Sequence, residues 1–162
     1  MTQPHPPRRS AEEQARLEAA FTDLFERRIC FNEVLGLRIE SIAPDDFAMR
    51  LTMRPDLVGH YLYGRLHGGV ISATLDATGG NAIMAAIGEK HAHETTEQIM
   101  HRFAKIGTID LRIDYLRPGL GEWFIARARL TRLGGRVASV QMELHNNHGD
   151  LIATGAAAYI VS

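Results

Sequence analysis

Between Gly69 and Ile87 the chain carries one ionisable side chain, Asp76, among small and apolar residues. Read at helical period, those residues occupy nearly every face. The stretch therefore predicts a helix buried on all sides and not merely amphipathic. An ionised carboxylate left without partners in such an interior costs several kcal/mol or is forced neutral. Asp76 must accordingly be hydrogen-bonded, open to a cleft, or chemically used. One reading makes it a satisfied core acid, held by hydroxyls such as those of Ser72 or Thr78. The other rests on Gly68 and Gly69, which open the helix and leave backbone N–H groups unshielded by side chains. Those donors can polarise a carbonyl, and a nearby carboxylate can then attack it or activate water.

The rest of the chain supplies something to wrap around that helix. Ser10 to Glu13 has capping-box spacing, and Leu17, Phe21, Leu24 and Phe25 then recur on one face, which predicts an amphipathic N-terminal helix to about Arg28. Leu37 to Ile42 and Phe47 to Met53 read as a strand hairpin turned by Pro44, Asp45 and Asp46. Residues 54–66 read as a loop that delivers the chain to the buried helix. Thr95 and Gln98 can cap a short helix carrying Ile99, Phe103 and Ile106, a stripe suited to packing on the sheet or to lidding an apolar groove. From Thr108 to Tyr115 the pattern alternates, with Ile109, Leu111, Ile113 and Tyr115 on one face, as in a half-buried strand. Glu122 to Leu133 and Arg136 to Asn146, joined at Gly134 and Gly135, and then Leu151 to Val161 continue an antiparallel meander. The expectation is an α+β fold: a curved antiparallel sheet wrapped around one long helix, with an extra helix at the N-terminus.

At 162 residues the chain suits one domain, expected over 10–162 behind a loose proline-rich tail at 1–9. A net charge of −1 and the absence of a basic run interleaved with aromatics argue against nucleic acid. The tail lacks the apolar segment of a signal peptide, and no run reads as a membrane span. A single cysteine, Cys30, precludes an internal disulfide, fits a cytoplasmic setting, and is expected to be packed. His91, His93 and His101 do not complete a recognisable zinc pattern, so no metal is expected.

Leu66-His67-Gly68-Gly69-Val70-Ile71, then Leu75-Asp76 and Gly79-Gly80, and finally Thr108 to Gly119 with Asp114-Tyr115-Leu116-Arg117-Pro118, resemble the hotdog-fold acyl-CoA thioesterases. The likeness spans roughly residues 32–161. It is narrowest to the bacterial branch acting on medium- and long-chain acyl-CoA, a relative of the phenylacetate-pathway thioesterases. The resemblance implies that Gly69 supplies the polarising N–H, that Asp76 is nucleophile or general base, and that His67 lies at the site edge. It also implies medium- to long-chain or aromatic acyl-CoA as substrate, with coenzyme A part of that substrate and no separate cofactor. The family often carries an amide in the loop before His-Gly-Gly. Here residues 58–64 contain none, and His60 is the nearest polar substitute. Arg117, Arg132 and Arg136, at strand ends or turns, are candidates for the phosphates of coenzyme A. A hydratase or dehydratase on the same fold, and a non-catalytic acyl-CoA sensor, are the alternative readings.

Helical geometry adds one expectation. Seven residues separate Gly69 from Asp76, about 10 Å along the axis, whereas a reacting carbonyl needs both groups within about 3 Å. One chain cannot supply both, so a two-fold homodimer is expected, with a dimer of dimers open. Gly79 and Gly80 are expected to admit a partner backbone or a ligand.

Overall fold

The computed structural model describes residues 6–162. Its element order is helix α1 (Ala11–Asp23), a π-helical turn (Leu24–Arg28), α2 (Cys30–Leu35), β1 (Arg38–Ser41), β2 (Phe47–Thr52), β3 (Val58–His60), β4 (Arg65–Leu66), α3 (Gly68–Lys90), α4 (Thr96–Phe103), β5 (Gly107–Tyr115), β6 (Trp123–Leu133), β7 (Val137–Asn146) and β8 (Leu151–Ile160). A six-stranded sheet runs β1-β2-β6-β7-β8-β5, every neighbouring pair antiparallel. The fold expected from the sequence is the fold observed: this sheet with α3 against one face.

Alternation along β6 and β7 sends Phe124, Ala126, Ala128, Val140, Met142 and Leu144 inward, where they meet Leu75, Ile83 and Met84 of α3 in one core. Removing a Leu, Ile, Met or Phe side chain from water here contributes roughly 1.5–3 kcal/mol apiece. Phe21 and Phe25 extend the core under α1, with ring centroids 5.4 Å apart. By length and composition alone α3 would suit a membrane span, contrary to the expectation that no run would. Its Ile71, Leu75, Ala82, Ile83 and Met84 are instead covered by the sheet.

The helix is not buried on every side. Ser72, Ala73, Asp76, Ala77 and Gly80 are only partly buried and Gly69 is exposed, a stripe at helical spacing. The sequence hides this face because its open residues are small and apolar like the buried ones. Elements missed within expected loops or helices include α2, a 3-10 turn at Pro55–Leu57 and the β3–β4 hairpin. The box at Ser10 is half formed. Ser10 accepts from the Glu13 N–H, but the Glu13 carboxylate reaches across to the Thr96 N–H at 2.6 Å. The box at Thr95 and Gln98 is complete. Gly134, Gly135 and Arg136, three residues and not two, connect β6 to β7.

Of the expected tail, residues 1–5 lie outside the described residues. Arg8 and Arg9 are docked: Arg9 donates to the carbonyls of Gly88, His91 and Glu94 at the end of α3, and Arg8 pairs with Glu89. Cys30 is exposed and not packed.

Candidate active site

Asp76 sits in the middle of α3 on its open stripe, facing the β5–β8 edge of the sheet. Neither Ser72 nor Thr78 holds it; those hydroxyls donate to the carbonyls of Gly69 and Thr74. Its Oδ1 instead accepts from Thr108 Oγ1 at 3.0 Å and from Tyr159 Oη at 2.9 Å. Oδ2 accepts no hydrogen bond among the described residues.

A β-bulge brings the two hydroxyls together. Leu111 lies opposite Ala157 and Ile113 opposite Gly155, so odd residues of β5 face α3. The register then slips between Thr108 and Asp110, and Thr108 lies opposite Tyr159. A one-residue slip exchanges the faces of a strand, so Thr108, which unbroken alternation would turn outward, faces inward. Ile109 is the extra residue and is 57% exposed, contrary to its expected place on the buried face. Tyr115, at the other end of this edge strand, is exposed as well and lies over Gly68, donating to its carbonyl at 3.1 Å. Tyr159 is buried. Burial first, then the charge of Asp76 and the hydrogen bond to it, push its phenol well above the ordinary range, so it stays a proton donor.

Gly79 makes room for this arrangement. A Cβ there would lie 2.7 Å from Tyr159 Oη and 2.7 Å from Met142 Sδ. The neighbour that requires glycine at 79 is thus the chain's own sheet, not a partner or ligand.

A cleft of about 270 Å³ opens beside Asp76, lined largely by apolar groups: Ile29, Phe31, Ala73, Ala77, Phe103 and Ile106. Phe103 and Ile106 thus join the groove, while Ile99 of the same stripe is wholly buried in the core. Two buried amides, Asn32 and Asn81, also reach the cleft. No sequence pattern had marked them, or Thr108 and Tyr159, as site residues.

The N-terminal end of α3 is built by His67. Its backbone N–H is held by the Leu57 carbonyl, and its ring caps the helix, Nδ1 accepting from the Gly69 N–H at 2.8 Å. Gly69 therefore does not present a free donor, contrary to expectation. The Gly68 N–H has no partner among the described residues. Gly68 borders a second cavity of about 400 Å³ with Arg65, Ile71, Tyr115 and Arg117. Arg117 donates to the Leu151 carbonyl at 2.8 Å there. Arg132 and Arg136 lie exposed at the β6–β7 turn and line neither cavity. His60 also lines neither. It stacks on Tyr61 and lies tilted against Tyr63 in the β3–β4 hairpin, and among the described residues its buried Nδ1 has no partner.

His91, His93 and Glu94 bring potential ligand atoms within 4.8 Å of one another. Arg102 already takes both Glu94 oxygens, at 2.8 and 2.5 Å, so the group is organised as an ion pair.

A carboxylate with one oxygen anchored and one free, beside an apolar cleft and on the helix whose N-terminus offers an unpaired N–H, has the parts for attack on an ester-type carbonyl. Comparison with known proteins agrees. The family model described as thioesterase superfamily matches residues 63–153, which hold His67, Gly68, Asp76 and Thr108. The chain is 36% identical over 139 residues to the medium/long-chain acyl-CoA thioesterase YigI of Escherichia coli, covering 86% of this chain and 90% of that protein. The Salmonella typhimurium protein of the same name is equally similar. A crystal structure from Shewanella oneidensis, described as related to the thioesterase superfamily, superposes with a TM-score of 0.87 at 34% identity, covering 95% of this chain and all of that one. By sequence and by fold, the chain belongs to the thioesterase superfamily.

Proposed function

We propose that the protein hydrolyses acyl-CoA thioesters of medium to long acyl chain, releasing free acid and coenzyme A, with Asp76 as the reacting carboxylate. The observation that carries this is the half-anchored carboxylate at the mouth of an apolar cleft. The acyl chain lies in that cleft, between Ala73 and Ala77 on one side and Phe31, Phe103 and Ile106 on the other. The match to YigI supports the chain-length class. Either Oδ2 takes a proton from water as the water oxygen bonds to the thioester carbon, or Oδ2 bonds to that carbon itself and water then cleaves the anhydride. In both routes the C–S bond breaks and coenzyme A departs as thiolate. The Gly68 N–H, free where that of Gly69 is not, polarises the carbonyl. Arg65 and Arg117, beside Gly68, are the cations best placed for phosphate groups.

Gly68 and Asp76 stand about 12 Å apart along α3, so the donor and the carboxylate at one thioester come from two copies of the chain. The open stripe of α3 and the edge of β5, unpaired among the described residues, support such a pairing. The pairing of dimers into tetramers and the cytoplasmic setting, with which the free thiol of Cys30 is consistent, belong to the same proposal.

Release of free thiol across a chain-length series of acyl-CoA tests the activity. Asp76→Asn, which keeps the shape and loses the basicity, is expected to lower turnover by orders of magnitude with binding retained. Near-normal turnover would refute the assignment. Co-expressed Gly68→Val and Asp76→Ala chains test the sharing. Each purified heterodimer then holds one intact site and is expected to regain up to about half the wild-type activity. Verified heterodimers with no activity would place the whole site in one chain.

A further inference from the structure

Tyr159 Oη lies 2.9 Å from Asp76 Oδ1 and also 2.9 Å from the main-chain carbonyl of Asp76. A donor shared between a residue's own carbonyl and its own carboxylate ties the side chain to the helix in one orientation. Without it the carboxylate, on the open face of α3, is free to turn about its side-chain bonds. The ring cannot drift, because it is buried and packed in the space left by Gly79. Thr108 approaches Oδ1 from the exposed strand edge and completes the bias: one oxygen carries two donors and the other none. An oxygen that accepts two hydrogen bonds is the poorer base and nucleophile.

We propose that Tyr159 is a positioning residue for hydrolysis, clamping Oδ1 and the main chain of Asp76 so that Oδ2 is the oxygen that reacts. The proposal rests on the assignment of Asp76 as the reacting carboxylate. On the water route Oδ2 takes the proton and the water oxygen bonds to the thioester carbon; the C–S bond then breaks and the departing thiolate recovers that proton. On the direct route Oδ2 itself bonds to the carbon and the thiolate leaves. Tyr159 keeps its own proton throughout both. The role reaches the substrate only through Asp76, which separates it from a group that binds the acyl chain.

Tyr159→Phe in the full-length protein keeps the ring and removes only Oη. Misorienting a reacting group by about 1 Å can cost roughly 100-fold, so a 10- to 100-fold fall in kcat is expected, with KM within about twofold of wild type. Added to Asp76→Asn, the same change is expected to lower the residual rate no further, because the clamped group is already disabled. Incorporating 4-aminophenylalanine at 159 returns a donor at the same reach and is expected to recover several-fold over Tyr159→Phe. Wild-type kcat in Tyr159→Phe, with Asp76→Asn inactive, overturns the clamp and leaves the assignment of Asp76 standing. An active Asp76→Asn overturns that assignment instead. A phenylalanine variant that loses KM and kcat together, or loses the fold, marks Tyr159 as structural and also overturns the clamp. So does parity between the phenylalanine and aminophenylalanine proteins.

Discussion

The β6–β7 hairpin and the β5–β8 pair are each interrupted by one bulge, between Leu130 and Arg132 in the first and between Thr108 and Asp110 in the second. In β6 the slip lets Leu133 follow Leu130 onto the core side, although the two are three residues apart. The extra residue, Thr131, is spent locally, its hydroxyl donating to the Ser139 carbonyl at 3.0 Å. In β5 the same device turns a polar residue inward, where a carboxylate waits. One bulge preserves packing and the other brings a hydroxyl to the carboxylate proposed to react. The difference lies less in the backbone than in what α3 presents opposite each strand: apolar side chains behind β6, and Asp76 beside β5 and β8.

Deleting Ile109 attacks the comparison at its strongest point. It leaves Thr108 opposite Tyr159 but removes the bend that aims its hydroxyl at Asp76, and is expected to lower kcat by about 100-fold in thiol-release assays as the strand edge beside the carboxylate shifts. A rate near wild type would make the β5 bulge as incidental to activity as its counterpart. Thr108→Val is the narrower cut, removing one of two donors to Oδ1, and about a tenfold loss in kcat with a preserved melting temperature is expected. On the other side, deleting Thr131 keeps Leu130 and Leu133 on the core side but removes the bend between them and the hydrogen bond to the Ser139 carbonyl. The expected result is a stability loss of roughly 1–3 kcal/mol in denaturant titration, with kcat per folded protein unchanged. A fall in kcat there would erase the contrast between the two bulges. The smallest effect belongs to Thr131→Val, an exposed change expected to stay within about 0.5 kcal/mol and to leave turnover alone.

The contrast also explains what could be read in advance. The β6 bulge is visible in sequence, because Leu130-Thr131-Arg132-Leu133 breaks its own alternation. The β5 bulge is masked, because Ile109 falls in step with Leu111, Ile113 and Tyr115 yet belongs to neither face. Asp76 could be found from the energetics of charge in an apolar helix, and the layout of sheet and helix from periodicity. Its partners could not, since Thr108 and Tyr159 are 51 positions apart and meet only through register. Gly69 was named over Gly68 for a similar reason. Both open the helix, and only the ring of His67, folded back as a cap, makes them unequal. The open stripe on α3 escaped notice because hydropathy cannot distinguish an alanine under a sheet from one facing a cleft.

The space at Gly79 has a consequence for how this sequence can drift. A methyl group there collides with Tyr159 Oη and Met142 Sδ alike. Position 79 therefore cannot gain a side chain until positions 142 and 159, on two other elements, have made room for it. Descendants of this chain that acquire a side chain at 79 should carry smaller residues at 142 and 159, and with them another way of holding the acid. In comparing lineages the three positions are best scored as one inherited character.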